Sequence, residues 1–126
     1  MNTWVSPIKV WNGDPNASNL VIYKKESFIT RPGPANLWLF IDENPSGIND
    51  GSFICDPQIQ NWIDYPASYH NGAGGMAFAD GHAEIHKWNG PVMNAHLNVT
   101  YTVVQRLSCS INDPDMLWLA QHTPEN

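Results

Sequence analysis

Basic residues are scarce in the middle of this sequence: no Lys or Arg occurs between Arg31 and Lys87. The whole chain holds six of them against twelve Asp and Glu, a net charge of −6. Nucleic acid needs basic groups to neutralise its phosphates, so this balance argues against such a partner. Long apolar runs are also missing. The longest, Leu37 to Ile41, falls far short of the ~20 residues that a membrane-spanning helix needs, and no signal-peptide pattern stands at Met1. Cysteine is limited to Cys55 and Cys109, with no CxxC or Cys/His zinc spacing. A disulfide between them and two free thiols are both open, because spacing along the chain does not report geometry.

The chain does have enough to build one domain. Its 126 residues match the length of a single core, and an apolar content of 42% excludes a chain disordered by composition. Ten Pro, nine Gly and six Trp describe a loop-rich, aromatic-rich domain with little long helix. The stretch without basic residues holds seven carboxylates: Asp42, Glu43, Asp50, Asp56, Asp64, Asp80 and Glu84. With no cation nearby in sequence they must be solvated, hydrogen-bonded or metal-bound, and a solvated acidic face is the simplest expectation.

Local chemistry suggests the order of elements. Residues 1–20 read as irregular, with Pro7, Gly13, Asp14-Pro15 and Asn16 as turn formers. Residues 23–30 suit a short helix that Pro32-Gly33-Pro34 would stop. The apolar run 37–42 predicts a strand buried on both faces, and residues 43–51 are dense in turn formers and predict a loop. Residues 52–55 can begin another strand, and Trp62 and Ile63 can anchor a loop. Two short β runs, 75–79 and 82–88, flank Asp80-Gly81, a strong hairpin signal. On the second run, period-two alternation puts Ala83, Ile85 and Lys87 on one face and His82, Glu84, His86 and Trp88 on the other. Residues 99–105, rich in β-branched side chains, predict a further strand. Asn112-Asp113-Pro114-Asp115 supplies a cap, an early proline and a first-turn acid, and predicts a helix near 114–121. The sum is an α+β domain with a small antiparallel sheet, long loops and a short C-terminal helix.

Three constellations carry possible chemistry. Asp42, Asn44, Ser46 and Asp50, with a turning Gly47, follow positions 1, 3, 5, 9 and 6 of an EF-hand loop and could hold calcium. The twelfth position is Phe53 instead of a bidentate Glu, so a loop of Asx turns is the alternative. His82, Glu84 and His86 share one face of a strand, an arrangement able to bind zinc; a polar strand face is the plain reading. The Gly-rich segment 69–75 leads into a strand-like run with no Lys-Ser/Thr, which argues against a phosphate loop. No nucleophile has a supporting arrangement. The tryptophans suit either the core or a sugar-stacking platform.

His70, nine intervening residues and then Asp80-Gly81 form an H-x9-DG pattern. Around it stand Pro66-Ala67-Ser68-Tyr69-His70-Asn71-Gly72 and Phe78-Ala79-Asp80-Gly81-His82-Ala83-Glu84. Upstream are Asp42-Glu43-Asn44-Pro45 and Ile48-Asn49-Asp50-Gly51, and near the end Asn112-Asp113-Pro114-Asp115-Met116-Leu117-Trp118-Leu119. Together these resemble the prepilin-type, type II secretion pseudopilin-like proteins of planctomycetes and verrucomicrobia, over roughly residues 20–122. The resemblance implies a pilin-like α+β head, here residues 1–126, whose prepilin leader and hydrophobic N-terminal helix are expected upstream. It implies a periplasmic or cell-surface structural subunit, not an enzyme, that assembles with other pilin or pseudopilin subunits and meets the membrane only through that helix. His70, Asp80 and Gly81 then carry over as structural motif residues, with His70 expected to hydrogen-bond Asp80 or a turn carbonyl. Calcium in related major pseudopilins makes the 42–50 loop a calcium candidate. The alternatives are a secreted carbohydrate-binding module using exposed Trp and a metal-dependent enzyme using His82, Glu84 and His86.

Overall fold

The computed structural model describes residues 23–55, 60–95 and 106–124. Seven regular elements follow in order: β1 (Trp38–Ile41), β2 (Asn61–Trp62), β3 (Ala73–Phe78), β4 (Ala83–Lys87), α1 (Pro91–Ala95), β5 (Leu107–Ser108) and α2 (Pro114–Gln121). Strands β1, β3 and β4 form an antiparallel sheet in the order β1-β3-β4, and β2 pairs antiparallel with β5. The α+β class with a small antiparallel sheet is therefore what the chain adopts.

The β3–β4 hairpin is the most regular unit. Its register runs without a break from Ala73↔Lys87 to Ala77↔Ala83. Its turn spans residues 79–82: Gly81 donates its amide to Phe78 O at 3.0 Å and sits at φ +92°, a conformation that favours glycine. Asp80 Oδ1 accepts the amide of His82 at 3.1 Å, so the Asp side chain also helps to close the turn.

Helix α2 starts at Pro114 because Asp113 caps it. Asp113 Oδ1 accepts from the amides of Asp115 and Met116, both at 3.1 Å, and satisfies two donors that no helical carbonyl can reach. Met116 and Leu119 then face the core. Asp115 ties the helix start to the chain after β4: its Oδ1 accepts from Asn89 N at 2.9 Å and its Oδ2 from Gly90 N at 2.8 Å.

The core collects Trp38, Phe53, Cys55, Trp62, Tyr65, Met76, Phe78, Trp88, Met93, Leu107, Met116 and Leu119. Burying each large apolar side chain contributes on the order of 1.5–3 kcal/mol, so these residues are the main stabilising group. Trp88 also donates its Nε1 hydrogen to Ala67 O at 2.8 Å, which satisfies its polar atom and holds the 67–68 segment against the hairpin. Cys55 and Cys109 are both free thiols. Cys55 Sγ lies 3.3 Å from Met116 Sδ inside the core.

Several expectations need correction. The 23–30 segment is not a helix but a single 3-10 turn at Glu26–Phe28; Lys25 offers no capping side chain and none of the three turn residues is buried, so nothing propagates the turn. Strand β1 is not buried on both faces: Trp38 is fully buried, but Phe40 is 55% exposed, because the register shift between them turns Phe40 to the opposite face of the sheet. Residues 52–55 make no regular strand and instead drop Phe53 and Cys55 into the core. The expected strand at 99–105 and the irregular segment at 1–20 lie outside the described residues.

Candidate functional site

The H-x9-DG residues sit at the two ends of β3. Asp80 and Gly81 form the turn just described. His70 stands before the strand; its amide donates to Ala73 O at 3.3 Å, while its ring is exposed and tilts against Tyr69 at 4.6 Å between centroids. The expected side-chain bond from His70 to Asp80 is not formed. Asp80 Oδ1 is taken by the His82 amide and by His82 Nδ1, and this pairing lowers the Asp80 carboxyl pKa. The turn therefore closes on itself by local contacts, and His70 acts through its backbone.

The loop after β1 divides its oxygens among separate tasks. Asp42 Oδ2 accepts from Gly75 N of β3 at 3.3 Å. Asn44 Oδ1 accepts from Ser46 N at 2.9 Å and Asp50 Oδ1 from Ser52 N at 2.7 Å. These last two are Asx turns. Asn44 and Ser46 are buried, at 2% and 5% exposure, so two of the four oxygen residues are drawn inward while Asp42 and Asp50 remain exposed. Asp42, Asn44 and Asp50 thus each give an oxygen to a backbone amide, while Ser46 Oγ is buried with no partner among the described residues.

The His82, Glu84, His86 face is likewise occupied. His82 precedes β4 and stacks on Phe78 at 4.3 Å, nearly parallel. His86 stacks on Trp118 at 3.8 Å, with Nδ1 3.7 Å from Glu84 Oε1. Burial lowers the His86 pKa, which keeps the ring neutral against the indole. Trp118 stacks in turn on His122 at 3.9 Å, whose Nδ1 donates to Trp118 O at 2.7 Å. The two histidines of the predicted zinc face thus engage different aromatic residues. Among the described residues, no three His, Cys, Asp or Glu side chains are gathered as a group that could hold a metal. The sugar-platform reading loses three of its tryptophans: Trp38, Trp62 and Trp88 are at 0%, 0% and 1% exposure.

The most unusual electrostatics belong to two residues that the sequence reading left among the solvated carboxylates. Asp64 is only 2% exposed; its Oδ2 accepts from Ile54 N at 2.7 Å, and its Oδ1 is buried without a partner among the described residues. Glu43 is half-buried and its Oε1 is also buried and unpartnered among them. The two are brought together by closure of the loop: Glu43 bridges to Pro66, and Asn44 N donates to Tyr65 O at 3.0 Å. Burial raises Asp64 to about 6, partly offset by the Ile54 amide. Burial raises Glu43 to about 7, and the neighbouring Asp64 charge adds to the rise. Asp64 ionises first, and its charge then holds the proton on Glu43. The one signal available in the sequence was the flanking of Asp64 by Ile63 and Tyr65, an acid inside an apolar segment.

Comparison of the chain with protein-family models, with curated proteins and with solved structures finds no match in any of the three.

Proposed function

We propose that this domain is the head of a pilin-like structural subunit that works outside the cytoplasm and assembles with other pilin or pseudopilin subunits. One observation carries the reading: the residues behind the resemblance serve to shape the hairpin. Asp80 and Gly81 close its turn, the His70 amide joins its base through Ala73 O, and the backbone at Gly74 passes under Ala67 O, where Trp88 also binds. A head domain whose task is assembly needs a rigid sheet of this kind, and its characteristic residues would then be turn and packing residues. Fold alone does not assign function, so the assignment rests on that motif.

The test is localisation in the source cells. Antibody raised against this chain, used for immunogold labelling and for probing sheared surface material, should mark filaments or the cell envelope together with other pilin subunits. A signal confined to the cytoplasm would overturn the proposal.

A further inference from the structure

Among the described residues, β4 is the outermost strand of its sheet. Trp88 donates its amide to Gly72 O at 2.9 Å, and His82 O accepts from Phe78 N at 2.9 Å. Even-numbered residues therefore bond to β3, and Ala83, Ile85 and Lys87 turn their amides and carbonyls away from it. Lys87 O is taken by Asn89 Nδ2 at 3.2 Å, while the outward groups of Ala83 and Ile85 meet no partner among the described residues. Edge strands are usually blocked by a proline, a bulge, a short length or charged side chains, and of these β4 carries the charges of Glu84 and Lys87. β4 has neither proline nor bulge, and four of its five residues are exposed, with Ile85 at 68%. Beside Ile85 the same sheet face carries a row of Phe40, Ala77 and Ala83, while opposite Ile85 the Asp42 carboxylate stands over Gly75.

The strand is complementary to itself in one register. An antiparallel copy centred on Ile85 sets Ile85 against Ile85 of the partner subunit. It sets Glu84 against His86 of the partner subunit, and the same pair recurs across the axis. Centring on Lys87 would oppose two lysines, centring on Glu84 two glutamates, and centring on His86 would set Ile85 against Lys87 of the partner subunit. Only the Ile85 register sets the two exposed isoleucines together, and it opposes no like charges: Glu84 meets the neutral His86 ring and Ala83 meets Lys87 of the partner subunit.

We propose that β4 pairs antiparallel with β4 of a second copy about a two-fold axis at Ile85, joining the two sheets into one continuous sheet. The contact is isologous and therefore closes as a dimer. It is small beside the ~1,200–2,000 Å² of stable interfaces, so the dimer dissociates at roughly micromolar to millimolar concentration. The proposal does not rest on the pilin reading.

Sedimentation of the whole chain up to about 1 mM tests it. Wild type should show a concentration-dependent dimer. Ile85→Lys, at an exposed position, should raise the dissociation constant about tenfold or more. Phe40→Ser, on the same face but off the edge, should leave it nearly unchanged. In a Cys109→Ser background, Ile85→Cys should form a covalent dimer under mild oxidation, and Phe40→Cys should not. A wild type that stays monomeric throughout, an Ile85→Lys chain that associates as wild type does, or an Ile85→Cys chain that fails to cross-link would each overturn the pairing.

Discussion

Replacing Glu43 with Gln should change how the stability of this domain depends on pH. Glu43 and Asp64 hold their protons to about pH 7 and 6 in the folded chain, against ordinary values of 4.5 and 3.8. A raised carboxyl pKa means that the folded state binds protons more tightly than the unfolded state. Its stabilisation is fully present below the unfolded values and is lost as pH climbs through the folded ones. Stability attributable to this pair therefore falls between about pH 4 and pH 7 and levels off above pH 8. Each tenfold change in a protonation constant is worth about 1.4 kcal/mol, so the two rises set a ceiling of roughly 6 kcal/mol. Solvent at the half-buried Glu43 and relaxation around both groups bring the expected loss to about 2 kcal/mol.

Other groups titrate in the same range. Asp115 is also raised by burial and acts in the same direction, whereas the lowered His86 acts in the opposite one. The difference between wild type and Glu43→Gln removes both. Gln is neutral at every pH, so the variant removes the proton linkage at position 43. Urea unfolding followed by Trp fluorescence at pH 5, 6, 7 and 8 is the assay. Relative to wild type, the variant should gain about 1–2 kcal/mol between pH 5 and pH 8. A difference that stays constant with pH, or that moves in favour of wild type as pH rises, would refute the reasoning.

Three further substitutions probe the scaffold, each by thermal or urea melting. Asp115→Ala removes the acceptor of two amides, Asn89 N and Gly90 N, and should cost about 2–4 kcal/mol; a loss below 1 kcal/mol would mean that water replaces the carboxylate. Gly74→Ala brings a Cβ within 2.6 Å of Ala67 O and should cost about 1–3 kcal/mol through displaced backbone; wild-type melting would show that the 67–68 segment yields freely. His70→Ala should stay within about 0.5 kcal/mol of wild type, since the ring is exposed and the bond to Ala73 belongs to the backbone; a cost above 1 kcal/mol would restore a side-chain role.

What the sequence made legible was local. The cap and first turn of α2 lie within four residues, Asp113 to Met116, and the hairpin turn within five, Phe78 to His82, so their chemistry is complete in a short window. The β2–β5 pair joins Trp62 to Leu107 through strands of two residues each, too short for any periodicity to show. His70 illustrates a different limit: its place in the motif was plain, but whether side chain or backbone does the bonding depends on which way the chain turns at Ala73.

The buried acids show why composition misled. A carboxylate with no basic neighbour in sequence is expected in water, and Asp42 and Asp50 are exposed as that rule requires. Glu43 and Asp64 escape it only because the loop after β1 folds back on the 64–66 segment, setting Glu43 against Pro66 and Asn44 against Tyr65. No window along the chain contains both partners. The closure that hides these two carboxyls is the same closure that seats Tyr65 and Phe53 in the core, so apolar burial is what offsets their desolvation. It follows that protonation of Glu43 and packing of the 43–54 loop are linked: conditions that ionise the pair should loosen this loop before they disturb the β3–β4 hairpin, whose own register contains no buried acid.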